Sequence, residues 1–376
     1  MIETDFLIVG AGIAGASVAY WLAPHGRTVI LERESQPGYH STGRSAALFS
    51  ETYGPPQVRA LSRASRAFLE SPPPGFAEQP ILSPRGTLVI GDPADPSALD
   101  EMQRSLGSDA PVQRWSREQA LAAVPVLRPQ CVGEAVYEPG ASDIDVHTLH
   151  QGYLRGARRA GAELVCQAEV TGLRRDGAHW RVQLADGRQW RARCVLNAAG
   201  AWADRLALLA GVPPIGLQPR RRSAFVFAPP PELAVGQWPM VVDVAEQWYF
   251  KPDAGRLLGS PANADPVPPQ DVQAEEMDIA LAIHRIGEAT TLTIGRPVRV
   301  WAGLRSFVAD GELVGGESAA APGFLWVAGQ GGYGIQTSAA MGRACASLAL
   351  GQPLPDELLA HGVSAAALSP QRPGLG

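Results

Sequence analysis

The sequence predicts an α/β domain with a parallel sheet, interleaved along the chain with an α+β domain built on an antiparallel sheet. Three observations predict this. The chain opens on an apolar strand, a glycine turn, a helix and a second apolar strand. A buried strand running into small residues recurs near residue 200, and a second glycine-rich strand-to-helix turn lies at Gly329–Gly334. The segments between them carry short strands of antiparallel type.

In the first unit, Asp5 precedes the unbroken apolar run Phe6-Leu7-Ile8-Val9, the pattern of a parallel strand covered on both faces. Gly10-Ala11-Gly12-Ile13-Ala14-Gly15 then turns the chain into a helix over Ala16–Ala23. Gly10 allows the sharp turn, Gly12 lets backbone approach a pyrophosphate, and Gly15 lets the helix pack close on the strand. The helix N-terminus presents free N–H groups to phosphate. The next strand, Thr28–Leu31, ends at Glu32, about 20 residues past the glycines, which is the spacing of a ribose-hydroxyl ligand. The unit reads as a Rossmann-type dinucleotide site. Glu32 disfavours a 2′-phosphate, so FAD or NAD is expected over NADP.

The 376 residues suffice for two domains and a large core, and the net charge of −5 leaves no footprint for nucleic acid. No apolar run reaches the ~18 residues of a transmembrane segment. The start, Met1-Ile2-Glu3-Thr4-Asp5, is acidic where a signal peptide is basic, so a cytoplasmic protein is expected. Cys131, Cys166, Cys194 and Cys345 are far apart and read as reduced thiols, with no metal site.

Further along, His40–Ala47 is a polar loop suited to wrapping a cofactor. Helices are expected over Val58–Leu69, Ser116–Val124 (capped by Ser116) and Asp145–Ala160. In the last of these, His147 and His150 read as surface or satisfied positions rather than ligands. Strands follow at Glu163–Cys166 and Ala168–Leu173, then a hairpin of Trp180–Leu184 with Gln189–Arg193 around Ala185-Asp186-Gly187. Cys194–Trp202 reads as a separate buried strand returning to the nucleotide domain. Ser223–Phe227, Trp248–Lys251 and Arg256–Gly259 read as antiparallel sheet, and Glu275–Gly287 as a helix. Leu325–Ala328 leads into the second glycine turn and a helix from about Gln336 to Leu348. The expected division is 1–80 with 145–215 and 320–365 for the nucleotide domain, 81–144 with 216–319 for the other, and a tail over 366–376 that is loose from Ser369 to Gly376.

With these stretches in view, the chain resembles the D-amino-acid oxidase/dehydrogenase superfamily of flavoproteins, which includes glycine and sarcosine oxidases. The Gly10–Gly15 turn with Glu32, the Ser41–Ser45 loop, Asn197–Trp202, Trp301–Arg305 and Gly329–Gly334 carry this. Within the superfamily it is most similar to bacterial D-arginine dehydrogenases, through Gln36–Ala47, Gly216–Pro219 with Arg221–Phe225, Leu258–Pro266 and Gly331–Met341.

The resemblance implies non-covalent FAD beside a substrate sheet. It implies oxidation of an amine by hydride transfer from the α-carbon to flavin N5, followed by hydrolysis to a 2-oxo acid and ammonia. It carries cofactor contacts onto Gly10, Gly12, Ile13, Ala14, Gly15, Glu32, Arg33, Ser41, Thr42, Gly43, Arg44, Ser45, Ala46, Val170, Ala199, Gly200 and Trp202. Gly331, Gly332, Tyr333, Gly334, Ile335, Gln336 and Thr337 complete that set. Arg305 is the implied carboxylate clamp, a role suited to a planar guanidinium. Arg222, Tyr53 and Tyr249 are its implied partners, while Arg220 and Arg221 are expected to be solvated. Leu48, Ser50, Thr87, Met240, Val242, Gly332 and Gln336 line the implied pocket.

Two positions depart from the D-arginine dehydrogenases. Thr87 stands where that group has a carboxylate for the substrate guanidinium, and Leu48 where it has a histidine. Neutral D-amino acids such as D-Met, D-Phe, D-Leu or D-Tyr are therefore expected over D-arginine and D-lysine. The only lysine, Lys251, is off the strand Arg256–Gly259, where sarcosine oxidases carry their oxygen-activating lysine. That favours a dehydrogenase whose acceptor, a quinone or another carrier, the sequence does not name. D-arginine itself, or glycine and sarcosine-type amines, are the alternative substrates. A flavin-binding scaffold has no need of a carboxylate clamp, and Gly329–Gly334 lacks the acid-ended strand of a second nucleotide fold.

Overall fold

The computed structural model describes residues 1–375. Its first sheet has eight strands. Ile2–Val9 lies at the centre, with Thr28–Leu31 and Glu163–Val165 parallel on one side and Gln189–Asn197 parallel on the other. Phe324–Ala328 continues the parallel order beyond Gln189–Asn197 and pairs antiparallel with Val314–Glu317. The central strands lie between two apolar layers. Phe6 and Ile8 face a core that includes Leu22, Tyr153 and Met341, while Leu7 faces one that includes Trp180, Trp326 and Leu206. The helices Ile13–Leu22, Val146–Arg159 and Ser338–Ala349 pack on one another in the first of these layers.

The expected hairpin strand and the expected buried strand after it are one nine-residue strand, Gln189–Asn197. Its first half alternates, with Trp190 and Ala192 buried and Gln189 exposed, and pairs antiparallel with His179–Leu184. Its second half, Cys194 to Asn197, is buried throughout because helices cover both faces there. The change of pattern within one strand is what divided it in the sequence.

The second sheet has nine strands, all antiparallel except where Met240–Asp243 runs parallel to Thr87–Ile90. Its spine is Gln218–Phe227, flanked by Arg256–Ser260 and by Arg299–Phe307. Along the spine the period of two separates the faces. Phe225 and Phe227 pack with the helix Glu276–Ala289 through Ile279 and Ile286. Arg222, Ala224 and Val226 lie on the opposite face, with Ala224 and Val226 beside Tyr249, Met240 and Val242. Leu48–Phe49, Ser142–Ile144 and Leu82–Pro84 form a separate three-stranded antiparallel sheet.

Arg221 is not solvated. It points to the helix side, 9% exposed, and pairs with Asp278, Glu275 and Asp265. The tail is not loose either. Leu368 is fully buried, and Arg372 forms a bidentate pair with Asp310 at 2.7 and 2.8 Å while donating to the Leu313 carbonyl. Gly376, the last residue of the expected tail, lies outside the described residues. Among the described residues no helix is long and apolar enough to cross a membrane, and no cluster of side chains suits a metal ion.

Candidate active site

The glycine turn is built by close contact. Gly10 has φ +103°, and a Cβ there would lie 2.4 Å from the Ala198 carbonyl oxygen. A Cβ on Gly15 would lie 1.9 Å from the Gly10 carbonyl oxygen, so the helix can begin only where glycine stands. The turn is pinned from both sides. Ala11 N–H donates to Glu32 Oε2 at 2.8 Å, and His150 Nε2 donates to the Ala11 carbonyl at 2.9 Å. Burial holds His150 below the usual histidine pKa, which suits a neutral ring acting as donor. Thr42 Oγ1 accepts from Ile13 N–H at 3.0 Å, tying the polar loop to the first turn of the helix.

These elements enclose a cavity of about 480 Å³. Gly10, Gly12, Ile13, Ala14, Glu32, Arg33, Val170, Ala199, Gly200 and Trp202 line it. The Arg33 guanidinium stacks on the Trp202 ring at 4.5 Å. Ile13, Ser41, Thr42, Leu304, Gln330 and Gly331 line both this cavity and a second one of about 570 Å³, so the two share a wall between the sheets. Gln330 Nε2 is buried at that wall with no hydrogen-bond partner among the described residues.

The second cavity contains the implied substrate residues. Tyr53, Arg222, Tyr249 and Arg305 line it, with Leu48, Ser50, Thr87, Met240, Val242, Gly332 and Gln336. Register explains the clustering. Arg222 sits opposite Gly303 across the strand pair, and Arg305 lies two residues along on the same face. Arg305 donates to Tyr53 Oη at 2.7 Å, and Arg222 Nε donates to the Asn263 carbonyl at 2.6 Å. Among the described residues neither guanidinium has a carboxylate within ion-pair distance. Burial, reinforced by the neighbouring charge of Arg305, holds Arg222 below the usual arginine pKa. Two guanidiniums held together in a recess, with no carboxylate in direct contact and Glu246 acting only at longer range, form a site for an anion.

The Arg305 side chain runs across Gly332, where a Cβ would lie 2.0 Å from the guanidinium. Gly332→Ala is therefore expected to displace the Arg305 guanidinium and lower kcat/KM by about 10²-fold while flavin stays bound, since a shift near 1 Å carries a cost of that order. Equal kinetics for wild type and variant would show that the guanidinium does not act from this position.

Other implied contacts serve elsewhere. Gly15, Gly43 and Thr337 line neither cavity. Gly15 packs helix on strand, Gly43 N–H closes the polar loop onto the Gly38 carbonyl, and Thr337 Oγ1 donates to the Tyr333 carbonyl. Arg44 and Ser45 line the second cavity, but the Arg44 guanidinium is spent on Asp271 and the Val272 and Ala302 carbonyls. Ser45 Oγ accepts from Ala47 N–H. The Gln336 amide is likewise committed. Its oxygen accepts from Ser50 N–H, and its nitrogen donates to the Ser50 carbonyl and Ser62 Oγ. It positions the segment that carries Tyr53.

Sequence reasoning missed Glu138. This carboxylate is 3% exposed and accepts from Ser50 Oγ, Thr52 Oγ1 and Glu51 N–H. Burial pushes it above the usual carboxylate pKa, against the pull of these donors. Its place in Val136-Tyr137-Glu138, a strand end with no motif, gave no signal.

Comparison with known proteins agrees with this architecture. Residues 5–348 match the family DAO, FAD dependent oxidoreductase. Glycine oxidase from Geobacillus kaustophilus is 26% identical over 92% of this chain and 92% of its own. The crystal structure of that enzyme superposes with a TM-score of 0.84, covering 99% of both chains at 23% identity. FAD-dependent oxidoreductase domain-containing protein 1 of Bos taurus is 27% identical over 93% of this chain and 81% of its own. L-alpha-glycerophosphate oxidase from Mycoplasma pneumoniae, with FAD bound, shares the fold at a TM-score of 0.83 and 18% identity, over 93% of this chain and 95% of that one. The glycine cradle closed by Glu32, the unpartnered Gln330 amide and the adjoining anion recess fit FAD. With the match running across both large sheets, the chain belongs to the FAD-dependent oxidoreductase (DAO) family.

Proposed function

We propose that the protein is a dehydrogenase that deaminates neutral D-amino acids oxidatively to 2-oxo acids and ammonia. The observation that carries this is the pair of guanidiniums, Arg305 and Arg222, facing the cavity beside Tyr53 without a carboxylate partner among the described residues. They suit a substrate carboxylate. FAD, when bound, would supply the electron sink for oxidation of the amine. Of its holding residues, Glu32 would take ribose hydroxyls, the helix Ile13–Leu22 the pyrophosphate at its start, and the Gly331–Gln336 turn the ring.

The protein's own part is positional. Arg305 and Arg222 would fix the carboxylate, and Tyr53 holds Arg305 in place. The reactive substrate is the neutral amine, so the rate should rise with pH as the ammonium loses its proton. The D configuration rests on the resemblance to D-arginine dehydrogenases. Preference for neutral side chains rests on Thr87 and Leu48, which stand where D-arginine dehydrogenases have a carboxylate and a histidine, and on Met240 and Val242 beside them; the carboxylates that line the cavity are Asp243 and Glu246, outside those positions. The dehydrogenase assignment is supported by Lys251, which is buried, paired with Asp143 at 2.6 Å and lines neither cavity.

The test is kcat/KM across single D-amino acids, with peroxide measured in air. Neutral D-amino acids are expected to exceed D-arginine by about 10²-fold, the scale set by a guanidinium desolvated without an ion-pair partner. A D-arginine value tenfold above every neutral D-amino acid would overturn the specificity, and a fast peroxide yield would overturn the dehydrogenase assignment. The likeness to glycine oxidase makes glycine and sarcosine the second substrates to include.

A further inference from the structure

One end of the substrate cavity carries the hydroxyls of Ser50, Thr52 and Thr87. Strand pairing sets Thr87 directly opposite Glu138, so the two side chains share a face. Glu138 stands behind the other two hydroxyls. Its Oε2 accepts from Ser50 Oγ at 2.7 Å and from Thr52 Oγ1 at 2.6 Å, and its Oε1 accepts from Glu51 N–H at 2.8 Å.

Burial raises the Glu138 pKa while its three donors favour the ionised form; as a carboxylate it only accepts hydrogen bonds, and each hydroxyl has one proton to give. Both protons are spent on Glu138. What Ser50 and Thr52 can offer the cavity is therefore oxygen lone pairs. Thr87 Oγ1 is different. The residue is 8% exposed, and its hydroxyl is buried with no partner among the described residues. A buried polar group left unmatched is costly, so it marks a place where a ligand atom completes the bonding. The flanking side chains Val89, Met240 and Val242 are apolar.

We infer that this end of the cavity selects hydrogen-bond donors, taking D-amino acids whose side chain ends in an uncharged hydroxyl or carboxamide in preference to apolar isosteres. The inference rests on the proposed D-amino-acid reaction. A phenolic O–H would donate to a Ser50 or Thr52 oxygen, and the free Thr87 hydroxyl would donate back to the phenolic oxygen. Glu138 acts through Ser50 and Thr52 and is a positioning residue. The charged groups around it are Glu51, whose N–H it binds, and Arg66, which pairs with the Glu51 carboxylate.

The test is anaerobic flavin reduction by D-Tyr and D-Phe in the holoenzyme, reading the ratio of second-order rate constants. D-Tyr is expected to exceed D-Phe by about tenfold or more, because a site built to bond a hydroxyl discriminates against the analogue lacking it. In Glu138→Gln the carboxamide N–H can donate to a hydroxyl oxygen, releasing that proton toward the cavity, and the ratio should fall toward one. Thr87→Val should lower the ratio as well, and it serves if Glu138→Gln fails to fold. A wild-type ratio of one or below would overturn the inference, as would an undiminished ratio in a variant that still oxidises D-Phe. Reduction by D-Phe without preference for D-Tyr overturns this inference alone. No reduction by any D-amino acid overturns the reaction beneath it as well.

Discussion

Arg305→Met is expected to lower kcat/KM for a D-amino acid by roughly 10²–10³-fold, with the visible flavin band retained. Truncating one partner of a buried, hydrogen-bonded charge pair costs about 2–5 kcal/mol, and each 1.4 kcal/mol is tenfold. Arg305 lies on the strand Arg299–Phe307, and its guanidinium stacks near Phe307 at 5.2 Å and Tyr333 at 5.9 Å. Methionine can fill that apolar surface, so the fold should survive. The loss should fall mainly on KM if the clamp binds substrate and transition state equally, and on kcat if it acts by orientation. Arg222→Met should act on the same substrate group, and the double variant should lose less than the product of the two. A variant with unchanged kcat/KM would remove the carboxylate-clamp account.

Gly15→Val is expected to yield a colourless, destabilised protein. Even the first added carbon would lie 1.9 Å from the Gly10 carbonyl oxygen, which belongs to the turn itself and cannot move aside as a side chain would. Overpacking costs about 1–3 kcal/mol where neighbours can adjust. Here the adjustment would move the helix off the strand and take its N-terminus from the phosphates, so FAD affinity should fall by about 10²-fold or more. Gly12→Ala is the comparison. Among protein atoms its Cβ would meet Thr42 Oγ1 at 3.2 Å, so the fold should be less disturbed, and the loss should fall on flavin content rather than on thermal stability because Gly12 lines the cofactor cavity where backbone approaches the pyrophosphate. Flavin content after purification and thermal unfolding measure both. Full flavin occupancy in Gly15→Val would show that close helix–strand contact is not what holds the cofactor.

The interleaved fold was legible because its signals are local. A strand, a glycine turn and an acid-ended strand follow within the first 32 residues, and the second glycine turn repeats the form. The single strand Gln189–Asn197 was not legible as one element, because its surroundings change midway from one covered face to two. Short strands such as Ala135–Glu138 and Met240–Asp243 carry too few residues for a period to show.

Within the site, the placement of Arg305 in the cavity wall was legible through the resemblance. Polar side chains whose partners are distant in sequence were not. Gln336 bonds to Ser50, Glu138 to Ser50 and Thr52, and Glu312 to the N–H groups of Gln57 and Val58 at the start of the helix Pro56–Glu70. Arg44 shows the converse. Its place in a cofactor-type loop is plain in the sequence, but its guanidinium is taken by Asp271 and two carbonyls.

The most direct test is anaerobic mixing of the purified yellow protein with single D-amino acids, their L enantiomers, glycine and sarcosine, following the flavin band. It requires no knowledge of the electron acceptor. Bleaching is expected with neutral D-amino acids, faster than with D-arginine and absent with the L enantiomers. Bleaching by L-amino acids or sarcosine alone, or by none of the panel, would overturn the D-amino-acid assignment.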